Sequence, residues 1–280
     1  MATTTQLPGS SAPALQSGPS GRAGFGGALR SEFTKIRSVR STYWTLIALV
    51  VVTIGIGALA CVGAISSHGG AVRGPGWDPT QRSLAGLILG QLIIVVLGAL
   101  TVTSEYSTGM IRTSLTVQPR RGTLLAAKGV VFFLVSFITG LVASFVSFFI
   151  GQAILSSKHL GASLGDPNVL RAVIGGGLFL AVCGMLAFGL GTLLRHTAAA
   201  ITASIGLLFV LFVLINFLPS NWQDHVDKWI PFNAGSQIWS TVPVQGNPPM
   251  FSPWTGFAVF AGYAVIAIVA GAVAFRKRDA

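Results

Sequence analysis

The sequence predicts an all-α integral membrane protein. It has six transmembrane helices, an interfacial helix ahead of the first, and short re-entrant or interfacial helices between the fifth and sixth. Three observations predict this. Six apolar stretches run over about 44–66, 84–103, 129–155, 169–194, 197–218 and 254–275. A helix needs about 20 apolar residues to cross the hydrocarbon core, where backbone polar groups must be satisfied within the segment. Only 9% of the 280 residues are charged and the mean hydropathy is +0.73, against about 25% charge in an ordinary soluble domain. Finally, 13 basic residues fall on the side of the chain ends and 5 on the other. The positive-inside rule then puts both termini in the cytoplasm. Because these charges flank apolar spans, the net charge of +11 reads as topology and not as a nucleic-acid surface.

Residues 1–24 are rich in Thr, Ser, Pro and Gly with almost no apolar content. Such a segment cannot bury a core, so a disordered cytoplasmic tail is expected over 1–26, followed by one membrane domain over 27–280. The tail lacks the apolar run of a cleavable signal peptide, so span 1 is expected to serve as its own insertion signal. From Leu29 to Tyr43, Leu29, Phe33, Ile36 and Val39 recur at helical spacing, with Arg30, Lys35, Arg37 and Arg40 among them. This predicts a helix lying on the cytoplasmic membrane face, its cations among anionic headgroups.

The link after span 2 reads Ser104-Glu105-Tyr106-Ser107-Thr108-Gly109-Met110-Ile111-Arg112-Thr113-Ser114-Leu115 and reaches Pro119-Arg120-Arg121. A carboxylate at a span mouth is costly unless hydrated or paired, which makes Glu105 a functional candidate. Tyr106, Met110 and Thr113 could share a face of a short helix with Arg112 beside it, stopped by Pro119. A short helix held at the inner surface can pass force to a cytoplasmic partner. Between spans 5 and 6, residues 219–253 carry Trp222, Trp229 and Trp239, with Trp254 just beyond, among six prolines. Tryptophan favours the headgroup region, so interfacial or re-entrant helices are expected there.

Within the spans strong polarity is confined to Gln91, Gln152 and Asn216. Gln91 and Asn216 are the candidates for polar contacts along a substrate pathway. No ionisable residue lies deep in a predicted span, whereas proton-relaying carriers place such groups near the midplane. Cys61 and Cys183 lie inside spans and read as buried free thiols. Abundant small residues, including Gly175-Gly176-Gly177, Gly184 and Gly189, predict close helix packing. Gly161-Ala162-Ser163-Leu164-Gly165 matches a hydrolase nucleophile pattern but lacks the strand–turn–helix setting. No phosphate-binding loop occurs, and His68, His159, His196 and His225 have no metal-ligand spacing, so no metal site is expected.

The run Glu105–Arg112, continued by Leu115 and Pro119-Arg120-Arg121, resembles the permease subunits of type-2 ATP-binding-cassette transporters. So do Arg30-Ser31-Glu32-Phe33-Thr34-Lys35-Ile36-Arg37-Ser38 and Arg40-Ser41-Thr42-Tyr43-Trp44. The resemblance spans about residues 27–278. It implies a six-helix permease that pairs with a second permease copy or paralogue and docks two cytoplasmic ATPase subunits. The helix through Leu29, Phe33, Lys35, Ile36, Arg37 and Arg40 would be the connecting helix. Glu105, Tyr106, Gly109, Met110, Ile111, Arg112 and Thr113 would form the ATPase-coupling segment. The chain itself would be no enzyme and bind no cofactor, with ATP and magnesium held by the partner ATPase. Export of apolar or amphipathic compounds across a bacterial plasma membrane is the expected function. Arg outnumbers Lys 13 to 5, which suits a GC-rich bacterial source. The competing readings are a secondary carrier or channel without an ATPase, and a membrane-embedded lipid-modifying enzyme.

Overall fold

Six helices long and apolar enough to cross a membrane organise the protein in a computed structural model. The structure describes residues 24–68, 76–110, 121–242 and 250–277, except the side chains of Ser67, His68, Arg121, Ser220, Trp222 and Asp224. The order is α1 (Phe25–Ser38), α2 (Arg40–His68, span 1), α3 (Pro79–Ser83), α4 (Leu87–Ser107, span 2), α5 (Arg121–Ser156, span 3) and α6 (Val169–Leu194, span 4). Span 5 runs over Thr197–Phe217 and is built from α7 (Thr197–Ile205), a π turn (Gly206–Val210), α8 (Leu211–Leu214) and a 3₁₀ turn (Ile215–Phe217). After it come α9 (Ser220–Val226), α10 (Pro231–Ser236) and α11 (Pro253–Lys277, span 6).

Span 4 is the axis of the bundle and packs against spans 2, 3 and 6. Its glycines make this possible. A Cβ on Gly98 of span 2 would strike the Gly184 carbonyl, and one on Gly189 would meet the span 6 backbone at Ala267 and Ile268. Close backbone approach replaces the hydrophobic effect as the packing force inside lipid. Spans 1, 5 and 6 are peripheral, each buried over only 22% of its most apolar window. Their outward faces carry residues such as Val51, Leu214 and Ile266, all exposed, as a lipid-facing surface requires.

Cys61 and Cys183 are free and buried. The segment between spans 5 and 6 dips into the protein as expected. Residues from Ile230 to Ser240 are buried apart from half-buried Ser236, and Trp239 is 3% exposed. Phe179 of span 4 meets Phe232, Trp239 and Phe260 at centroid distances of 6.1, 6.3 and 5.4 Å. Trp229 and Trp254 stay exposed, in keeping with an interfacial position.

A second packed segment, built around α3 ahead of the apolar stretch of span 2, has no counterpart in the hydropathy pattern. Asp78 caps α3 by accepting from Gln81 N at 2.9 Å, and its other oxygen accepts from Thr241 N at 2.6 Å and Val242 N at 3.1 Å. One buried carboxylate therefore ties α3 to the segment between spans 5 and 6. Gln152 is part of this framework. Its amide donates to Pro79 O at 3.1 Å and to Ser83 Oγ at 3.2 Å, and its carbonyl accepts from Ala162 N at 2.7 Å.

Candidate functional site

The site is built where α1, the last turn of span 2 and the first turns of span 3 meet. Val39 is extended between α1 and span 1 (φ −87°, ψ 108°), so the chain turns there and α1 packs chiefly on span 3. The face α1 turns inward carries Ala28 and Glu32, with Leu29, Lys35 and Ile36 half-buried. Phe33, Arg30, Arg37 and Arg40 are exposed. The apolar stripe expected from spacing is thus split: Phe33 and Val39 point away from the protein, as an interfacial helix would place them.

Glu105 belongs to the last turn of span 2, which ends four residues beyond the apolar stretch, and it is 4% exposed. Lys128 stands one residue before the apolar stretch of span 3, which begins at about residue 129. That helix begins at Arg121, because Gly122–Lys128 carries no breaker beyond one glycine and continues directly into the apolar run. The Lys128 side chain is consequently buried and bridges two elements. Its Nζ lies 2.6 Å from Glu32 Oε2 and 2.7 Å from Glu105 Oε1. Lys35 Nζ closes the figure, 2.7 Å from Glu32 Oε1 and 3.1 Å from Glu105 Oε1.

The result is a ring of alternating charge, Lys128–Glu32–Lys35–Glu105, neutral in sum. Burial alone would lower the Lys35 pKa. The hydrogen bond to Glu32 and the charges of Glu105 and Glu32 outweigh it, and the net direction is upward. Glu105 Oε2 stays buried without a hydrogen-bond partner among the described residues. Sequence reasoning missed Glu32 and Lys128 as site residues. One signal was available: Glu32 and Glu105 are the only glutamates in the chain.

Tyr106 engages the other side of the bundle. Arg195 stands over its ring at 5.1 Å, and Phe275 of span 6 meets it edge-on at 6.5 Å. Arg195 adopts φ +57° where span 4 ends, and its guanidinium donates to Ala274 O at 3.4 Å. Thr197 Oγ1 bonds Thr103 Oγ1 at 2.9 Å one turn below. Neighbouring residues at the end of span 2 therefore reach α1 and span 3 through Glu105, and spans 4 and 6 through Tyr106.

The short helix expected through Tyr106, Met110 and Thr113 is interrupted. Span 2 ends at Ser107, and Gly109 takes φ +71°, a conformation that favours glycine. Tyr106 and Met110 thus lie on opposite sides of a left-handed break. Helical backbone resumes at exposed Met110. Ile111, Arg112 and Thr113 lie outside the described residues.

The two pathway candidates are not brought together. Gln91 is fully buried in span 2, 4.0 Å from Cys183 Sγ of span 4, and its amide nitrogen has no partner among the described residues. Asn216 is exposed near the end of span 5, and its amide donates to the Phe212 carbonyl at 3.1 Å. Ser163 sits in an exposed turn in which Asp166 accepts from its backbone N–H at 2.8 Å. Among the described residues no group of three or more His, Cys, Asp or Glu is placed to hold a metal ion.

A family model described as ABC-2 family transporter protein matches residues 29–280. No curated protein matches the sequence at a significant level.

Proposed function

The chain belongs to the ABC-2 transporter family, and from that premise we propose that it is the permease subunit of an exporter driven by a separate cytoplasmic ATPase. The α1 end faces the cytoplasm, as the basic asymmetry requires. Residues 105–113 receive the ATPase, α1 is the connecting helix, and two permease chains with two ATPase subunits form the working unit. Substrate passes between the paired permeases, and the apolar spans favour an apolar or amphipathic cargo.

The observation that carries the reading is the buried ring at the root of the 105–113 segment. A buried ion pair contributes little net stability compared with packed apolar side chains, yet breaking one by removing a member is costly. Glu105 is held by cations from two different elements, which is what a segment receiving mechanical work needs at its base. The sequence carries no phosphate-binding loop of its own, so ATP is expected to act through a partner.

Purified alone, the protein should hydrolyse no ATP and perform no uphill transport in vesicles. Co-expressed with an ATPase subunit encoded next to it, it should form a complex that survives detergent and hydrolyses ATP. Robust ion-gradient-driven uptake by the lone chain in liposomes would contradict the proposal and favour a secondary carrier.

A further inference from the structure

We propose that Lys128 is a positioning residue that makes α1, the end of span 2 and the start of span 3 one rigid body, so that work delivered to residues 105–113 moves all three together. This rests on the reading of that segment as the coupling segment. Three facts carry it. Lys128 contacts both glutamates from a third element. The ring joins residues 96 and 23 positions apart in the chain, so no local helix contact holds these elements in register there. Its four charges alternate, and each ammonium lies within 3.1 Å of both carboxylates.

Removing Lys128 leaves two buried carboxylates facing each other with only Lys35, its side chain 32% exposed, to hold them. Like charges at that separation in a poorly solvated site repel, and α1 has no comparable anchor on span 2 among the described residues. Alternation also dictates which repairs work. Exchanging the charges of Glu105 and Lys128 alone sets a carboxylate at position 128 beside Glu32 and an ammonium at position 105 beside Lys35. Only inversion of all four charges restores the alternating order.

Paired spin labels test this without a known substrate. In a background lacking Cys61 and Cys183, labels replace exposed Arg37 on α1 and exposed Leu134 on span 3. A second pair uses Arg37 and exposed Val273 on span 6. For the permease alone in lipid nanodiscs, the Arg37–Leu134 distance distribution should be narrow and should broaden with Lys128→Met. It should stay broad in the Glu105→Lys/Lys128→Glu exchange and narrow again in the fourfold inversion. If Lys128→Met fails to insert, Lys35→Met at the more exposed corner should broaden the distribution to a lesser degree. In the ATPase complex, trapping with ATP and vanadate should shift Arg37–Val273 and leave Arg37–Leu134 in place.

A distribution as narrow in both lysine variants as in the parent overturns the proposal. So does an Arg37–Leu134 shift on trapping as large as that of Arg37–Val273. Failure of any ATPase to bind would strike the exporter reading instead, while the measurements on the lone chain still decide the ring.

Discussion

A single buried ammonium, Lys128, joins α1, span 2 and span 3, and little in the sequence marks it. A basic residue seven positions into a helix resembles any other positive flank when read along the chain. Its partners come from residues 32 and 105, separations over which no sequence periodicity operates. Glu105 was legible because a carboxylate at a span mouth needs explaining. Breaking a buried ion pair by removing one member costs about 3–5 kcal/mol. Lys128→Met should therefore lower the melting temperature of the detergent-purified protein clearly, and exposed Arg37→Met should not. Lys35 adds a pH signature. Its pKa is raised above 10.5 in the fold, so the stability it contributes is fully present below 10.5 and is lost only as pH rises through the folded value. The difference in melting temperature between wild type and Lys35→Met should stay constant from pH 7 to pH 9, and shrinkage already across that window would refute the ring as drawn. At Gly109, φ +71° penalises any side chain by about 1–2 kcal/mol. Proline cannot adopt that angle at all, so Gly109→Pro should uncouple ATP hydrolysis from transport more severely than Gly109→Ala.

At the scale of elements, hydropathy located all six spans because each is one unbroken apolar run, which lipid demands of any exposed helix. It misplaced the ends of spans 2 and 3, where polar residues continue the helix to reach one another. It gave no sign of α3, a short and partly polar helix fixed by Asp78 and Gln152 through distant backbone groups. The re-entry between spans 5 and 6 was legible through its tryptophans and prolines. The π turn at Gly206–Val210 inside span 5 left no mark beyond a glycine. Asp78 provides the test at this scale. Leaving buried N–H groups unsatisfied costs about 1–3 kcal/mol. Asp78→Ala should accelerate amide exchange around 80–83 and 240–242 while leaving α1 protected as before. Unchanged exchange at 241 and 242 would show that the carboxylate does not hold the two segments together.

For the whole molecule, the proposed orientation rests on the 13-to-5 basic asymmetry, and the structure gathers α1, Glu105, Lys128, Arg195 and Phe275 at one end through direct contacts. With the native cysteines removed, an impermeant maleimide on intact cells should label a cysteine at exposed Ser157 and spare one at exposed Arg37. The reverse pattern would invert the topology. The central claim, that an ATPase works on this chain through the segment after span 2, is tested most directly by a photo-crosslinking amino acid at Met110, exposed just beyond the Gly109 break. In cells producing the permease with its neighbouring ATPase, Met110 should crosslink to that subunit and Ser157 should not. An ATPase that binds and hydrolyses ATP but crosslinks only at Ser157, or at neither position, would contradict the account.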